Sequence, residues 1–124
     1  MKIVRRAPGG DPGSINAWVR VYEEDAIAAA ARADGLLAAG GELPPLLGVP
    51  VGLKDLYGVA GRPVTASSRL LDDVPSEDCD VWRRLAAAGM ILLGHLHTHE
   101  FAAGGTTDQV GNPWDLARSA GGSS

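Results

Sequence analysis

Short apolar runs and one long alanine-rich stretch divide the first third of the chain. The run from Ala17 to Tyr22 is rich in Trp, Val and Tyr and predicts a short strand. The acidic residues Glu23–Asp25 then open an alanine-rich segment. This segment predicts a helix to about Ala39, because negative charge favours the positive end of the helix dipole. Gly40 and Gly41 predict where the helix ends.

Two more apolar runs flank a second helical pattern. Leu46–Leu53 predicts a strand. In Ser76–Ala88 the apolar positions recur every three or four residues, which predicts a helix with Ser76 as N-cap and Gly89 as its stop. Met90–Leu93 predicts a short buried strand. Strand, helix and strand at this spacing are typical of a crossover onto a parallel sheet, so the predicted fold class is α/β.

The composition of the chain bears on its number of domains, its partners and its cellular compartment. The chain has 124 residues, of which 45% are hydrophobic, enough for one domain, which we assign to residues 15–124. Met1–Ser14 has little to bury and predicts a flexible tail. The net charge of −4 comes without a basic stripe, so we expect no nucleic-acid partner. No run approaches the ~18 apolar residues of a membrane span. The single cysteine, Cys79, excludes an internal disulfide and fits the cytoplasm.

Lys54 ends an apolar run and precedes a glycine-rich loop, Gly58–Ser68. Burial at such a position would favour the neutral amine, which can accept a proton. The alternative is an ion pair with Asp55 or another acid.

A glycine pair precedes Ser123 and Ser124. Glycine before serine permits backbone geometries, including a cis peptide bond, that a Cβ would oppose. The alternative is a flexible linker, which is the commoner meaning of such a string.

Three alternating histidines, His95, His97 and His99, would face one side of an extended strand with Glu100 beside them. That spacing suits zinc or a similar metal. However, Thr98–Ala103 also predicts the first turns of a helix capped by Thr98, and helical geometry would separate the imidazoles. We therefore predict no metal site.

Two polar stretches follow the histidines. Gly104, Gly105 and Thr106 offer backbone amides and a hydroxyl for substrate contacts, although a plain turn is the alternative. Asn112–Asp115 predicts a turn pinned by a buried Trp114 indole.

Six blocks of the sequence, taken in order, resemble the amidase signature family, whose members hydrolyse or transfer the acyl group of amides. They run from about Asn16 to Ser124 and are INAWV, the alanine-rich helix, GVPVGLKD, GRPVTASS, GMILLGHLHTHEFAAGGTT and GNPWDLARSAGGSS. The resemblance implies the N-terminal part of the family's α/β fold, with a mixed sheet flanked by helices.

The resemblance also implies roles for individual residues. Lys54 matches the base of the family's Ser-cisSer-Lys triad, and Ser123 matches the serine that follows a cis peptide bond and relays the proton. Ser124 would help to hold the network, and Gly104, Gly105 and Thr106 would contact the substrate. The implied substrate is a small amide or carbamoyl compound, with neither a metal nor an organic cofactor.

Some family features are missing from these 124 residues. The family's nucleophilic serine lies in a D-x-[AG]-G-S string, which does not occur here. The tail Met1–Ser14 stands where relatives carry a leading helix, and His95-Leu96-His97 stands where many have Lys-Thr-Asn. We therefore expect the N-terminal portion of an amidase, inactive by itself.

Three other hypotheses remain. One is the A-type subunit of a tRNA-dependent amidotransferase, against which His99 in THEF argues because those subunits resemble MDEF. The others are a non-catalytic remnant and a histidine metal-binding module.

Overall fold

The computed structural model describes residues 15–104 and 109–123, and the predicted tail Met1–Ser14 lies outside them. In chain order the regular elements are β1 (Trp18–Val21), α1 (Glu23–Ala39), β2 (Pro50–Lys54), α2 (Asp80–Ala87), β3 (Ile91–Leu96), a 3₁₀ turn (Glu100–Ala102), β4 (Gly111–Asn112) and β5 (Asp115–Ser119). None of the helices in the described ranges is sufficiently long and apolar to traverse a bilayer.

Strands β1, β3 and β2 form a mixed sheet with β3 in the centre. β2 runs parallel to β3, whereas β1 runs antiparallel to it. The predicted α/β class and the parallel pairing are confirmed. Lys54, the last residue of β2, pairs with Leu96, the last residue of β3. The ends of both parallel strands therefore meet at one edge of the sheet, where the segments that follow them also lie.

Helix α1 has the bounds that its sequence predicts. Its acidic first turn follows Tyr22, whose carbonyl oxygen accepts the Ala26 N–H at 2.9 Å. The helix packs on β3 and buries Ala33, while Gly40 ends it with a φ of 70°, a value that glycine adopts freely.

Helix α2 is shorter than predicted, because it begins at Asp80 and not near Ser76. The preceding residues are held by another loop: the Pro75 carbonyl accepts the Gly61 N–H, the Asp78 carboxylate accepts the Ala60 N–H, and the Cys79 N–H bonds to the Gly58 carbonyl. These contacts draw the backbone out of helical geometry. Gly89 ends the helical segment as predicted, with a φ of 94°.

The two parallel strands also differ from their predicted bounds. β2 begins at Pro50 because Leu46 and Leu47 belong to a turn, in which the Leu47 N–H bonds to the Pro44 carbonyl at 3.1 Å. β3 extends to Leu96, beyond the predicted Leu93, because both neighbouring strands supply partners to residues 94–96.

Gly94 permits the close approach of β1 and β3. A Cβ at this position would lie 2.1 Å from the Arg20 carbonyl oxygen, and the φ of 154° is also unfavourable for other residues. The central strand therefore requires glycine here.

The turn at Asn112–Asp115 joins β4 to β5, and Asn112 Oδ1 accepts the Trp114 N–H at 3.0 Å. The turn is confirmed, but the prediction of a buried indole is wrong, because Trp114 is 94% exposed. Every residue of β5 is exposed, so no described element covers this strand.

Candidate functional site

Lys54 and Ser123, 69 residues apart in the chain, form a direct hydrogen bond in which Lys54 Nζ donates to Ser123 Oγ. Lys54 is the last residue of β2. Both residues are partly buried, so the amine and the hydroxyl meet where little water competes for their hydrogen bond.

His99 holds the serine in place through its backbone. Its N–H donates to the Ser123 carbonyl oxygen at 3.0 Å, and the peptide bond between Gly122 and Ser123 is cis. The His99 ring packs so closely that a Cβ at residue 122 would lie 1.7 Å from Nε2. Glycine at position 122 is therefore a packing requirement.

The three histidines occupy three different environments. His95 is fully buried in β3, where Nδ1 bonds to the Tyr22 hydroxyl at 2.7 Å and Nε2 to the Tyr57 carbonyl at 3.0 Å. A carbonyl only accepts, so Nε2 carries the proton and Nδ1 accepts from tyrosine. Burial lowers the pKa of His95 and raises the pKa of Tyr22, in keeping with a neutral pair.

His97 follows the strand and bonds through Nδ1 to Ser67 Oγ at 3.0 Å, and burial lowers its pKa. His99 packs on Gly122. Within residues 15–104 and 109–123, no three His, Cys, Asp or Glu side chains are grouped to hold a metal ion. Thr98 does not cap a helix: only a 3₁₀ turn follows, and in it Phe101 has a φ of 51°.

Two buried polar atoms lie on the segment that contacts Ser123. Thr98 Oγ1 and His99 Nε2 have no hydrogen-bond partner among the described residues. Unpaired buried polar atoms are costly and few in folded proteins.

Asp55 is the residue of this region that the sequence did not assign to the site. Its side chain is completely buried, and its carboxylate accepts hydrogen bonds from Thr65 N–H, Thr65 Oγ1–H and the Ser67 N–H at 3.2 Å. The carboxylate is thus hydrogen-bonded to the loop and not to Lys54. The alternative of a Lys54–Asp55 ion pair is wrong. The sequence feature that could have pointed to Asp55 is its position, directly after the strand that carries Lys54.

The predicted substrate contacts are described only in part. Gly104 is exposed, with a φ of 142° and open space around it. Gly105, Thr106 and Ser124 lie outside the described residues, so their roles stay predictions.

A cavity of about 550 Å³ lies apart from this pair, between the two helices and the sheet. Apolar side chains, among them Leu36, Trp82 and Ile91, form most of its wall, and neither Lys54 nor Ser123 lines it. The contact between Lys54 and Ser123 at the strand ends therefore lies outside this cavity.

Comparison with known proteins finds relatives both by sequence and by structure. The A-type subunit of the glutamyl-tRNA(Gln) amidotransferase from Acidothermus cellulolyticus is 40% identical over 120 residues, covering 92% of this chain and 24% of the relative. A structure of a vestigial protein complex, which reveals the origins of an s-triazine catabolic enzyme, is 39% identical with a TM-score of 0.82. That match covers 88% of this chain and 25% of the solved chain.

The native peptide amidase of Stenotrophomonas maltophilia is 27% identical with a TM-score of 0.77, over 91% of this chain and 25% of its own. The chain thus spans about a quarter of the length of the relatives that it matches. The family model named Amidase matches residues 8–124. The chain therefore belongs to the amidase family.

Proposed function

We propose that this chain supplies two members of a Ser-cisSer-Lys triad for hydrolysis of a small amide, with Lys54 as the base and Ser123 as the proton relay. The observation that carries the proposal is the direct hydrogen bond between Lys54 Nζ and Ser123 Oγ. Membership of the amidase family supports the same chemistry.

In this mechanism Lys54 is the base that takes the proton of Ser123, while Ser123 takes the proton of a nucleophilic serine. The nucleophile's oxygen forms a bond to the amide carbon, and the relayed proton then goes to the nitrogen as the carbon–nitrogen bond breaks. Water then bonds to the ester carbon and gives its proton along the same relay to Lys54. That proton returns to the nucleophilic serine as the carbon–oxygen bond of the ester breaks. Backbone N–H groups near the nucleophile stabilise the negative oxygen. The nucleophile belongs to a D-x-[AG]-G-S string, which the 124 residues do not contain.

Substrate contacts belong to the proposal as well. Gly104 and Gly105 offer backbone amides, and Thr106 and Ser124 offer hydroxyls, to a small polar amide. The relay uses only side chains and water, so we propose neither a metal nor an organic cofactor. The free thiol of Cys79 fits a reducing, cytoplasmic setting.

The test uses the complete reading frame that contains these 124 codons. The DNA after the Ser124 codon is sequenced for a D-x-[AG]-G-S string, and the encoded protein is assayed for ammonia release from a panel of small amides. We expect Lys54→Ala and Ser123→Ala each to lower kcat by about 10²–10⁴, the usual contribution of proton transfer. Lys2→Ala, at the chain's other lysine, is the matched control. A Lys54→Ala enzyme with undiminished kcat would refute the assignment.

A second candidate is the A-type subunit of a tRNA-dependent amidotransferase. Relatives with that name are 39–44% identical to this chain, which favours it. Such a protein would hydrolyse glutamine and pass ammonia to a partner subunit. Glutamine hydrolysis that requires added partner subunits supports this candidate, and partner-independent hydrolysis of simple amides contradicts it.

A further inference from the structure

The loop Thr65–Ser68 is built around the Asp55 carboxylate. Two backbone N–H groups and one hydroxyl of this loop donate to Asp55, and the Ala66 N–H donates to the Asp55 carbonyl at 3.0 Å. Ala66 and Ser67 have φ values of 51° and 53°, which are unfavourable for residues with a Cβ. The loop therefore depends on these hydrogen bonds for its conformation.

The same loop holds the segment that follows β3. Ser67 Oγ accepts the Thr98 N–H at 3.0 Å, and the Ala66 carbonyl accepts the Phe101 N–H at 3.0 Å. Ser68 Oγ donates to Glu100 Oε1 at 2.7 Å. Three contacts thus attach residues 98–101 to a loop whose conformation is set by Asp55.

Residues 98–101 in turn hold Ser123, because the His99 N–H donates to the Ser123 carbonyl. Asp55 also follows Lys54 directly, and its own N–H donates to the Leu96 carbonyl at 2.9 Å. One closed path, made of these hydrogen bonds and of the peptide bonds of the chain, therefore connects Lys54, Asp55, the loop, His99 and Ser123. We infer that Asp55 is a positioning residue that sets the contact between Lys54 and Ser123. This inference deepens the proposed function and rests on it for its catalytic meaning.

The contact can be measured without catalysis, because the chain has two lysines, Lys2 and Lys54. The protein encoded by the complete reading frame is acetylated with limiting reagent at fixed pH, and mass spectrometry gives the labelling rate of Lys54 relative to Lys2. An amine released from the Ser123 hydroxyl reacts faster. We expect Asp55→Ala to raise the ratio about fivefold, the equivalent of one ordinary hydrogen bond. Ser123→Ala should raise it similarly.

A double variant separates positioning from general destabilisation. If Asp55 acts through Ser123, the Asp55→Ala/Ser123→Ala chain labels no faster than the faster single variant. Asp78→Ala is the matched control, because its carboxylate accepts the Ala60 N–H at 2.8 Å outside this path, and it should leave the ratio unchanged. An unchanged ratio in folded Asp55→Ala, or a double variant whose increases multiply, overturns the inference.

If Asp55→Ala loses its cooperative unfolding transition, Ser67→Ala takes its place in the double-variant comparison, because Ser67→Ala interrupts the same path at the Thr98 N–H. The expected result and the result that overturns the inference stay the same. The proposed function can fail independently of this inference. If the protein lacks amidase activity but still shows the labelling pattern, the positioning role of Asp55 stands and only the proposed hydrolysis is refuted.

Discussion

His99 and Gly122 are in such close contact that a Cβ on residue 122 would lie 1.7 Å from His99 Nε2. The same histidine holds the Ser123 carbonyl through its backbone N–H. Side chain and backbone of one residue thus define the position of the serine that meets Lys54.

Gly122→Ala should therefore displace Ser123. His99 is only 6% exposed and packs directly against this position, so the added methyl costs about 1–3 kcal/mol of overpacking. The bond from the His99 N–H to Ser123 weakens, and we expect the amide hydrogen of residue 99 to exchange about tenfold faster. Exchange followed by NMR measures this. Adding His99→Ala should restore protection by making room; a double variant as unprotected as Gly122→Ala contradicts the packing explanation.

The buried His95 predicts a stability that depends on pH. Burial lowers its pKa against the smaller opposing effects of the Tyr57 carbonyl and Asp55, so the unfolded chain binds more protons just below pH 6.5. The free energy of unfolding should therefore be greatest above pH 6.5. It should fall as the pH decreases through 6.5, by at most about 1.4 kcal/mol per pH unit for this residue, and level off below the folded-state pKa.

Urea unfolding between about pH 5.5 and 7.5 measures that slope. His97, whose pKa burial also lowers, contributes to the slope in the same direction. His95→Gln places a polar amide here that does not titrate, and it should have a flatter profile than the unsubstituted chain. Equal slopes in the two proteins would show that His95 does not titrate as predicted.

Gly94→Ala should separate β1 from β3. The new Cβ would meet the Arg20 carbonyl oxygen at 2.1 Å, at a φ of 154°, so we expect a loss of about 3 kcal/mol or more of unfolding free energy. Gly35→Ala is the control, because Gly35 lies within α1 with open space around it. It should stabilise the chain by about 0.5–1 kcal/mol. Denaturant unfolding of both variants checks the prediction, which fails if Gly94→Ala is neutral.

Trp114→Ala should leave stability within about 0.5 kcal/mol, because the indole is 94% exposed. Trp18, whose ring lies where a Cβ on Gly52 would approach within 2.9 Å, is the contrasting residue. Trp18→Ala should cost about 2 kcal/mol or more. Thermal unfolding compares the two variants, and a marked destabilisation by Trp114→Ala would mean that something covers the indole.

Local sequence pattern was enough where neighbouring residues decide the structure. Helix α1 has its predicted bounds because an acidic first turn, an alanine-rich body and a glycine stop all act within the segment. It was insufficient for α2, whose first predicted turn is held by hydrogen bonds to residues 58–61. It was insufficient also for Trp114, since exposure depends on whether another element covers the ring.

The candidate site, too, was predictable from the sequence only in part. Six ordered blocks of residues were enough to indicate the family, and the family pattern singled out Lys54 and Ser123. Three contacts became known only from the folded chain: these two side chains touch, His99 packs on Gly122, and Asp55 bonds to the loop Thr65–Ser68 and not to Lys54. Each of these contacts joins segments that are separated in the chain. The residue types determine which hydrogen bonds are possible, and the packing of β2 and β3 determines which of them form.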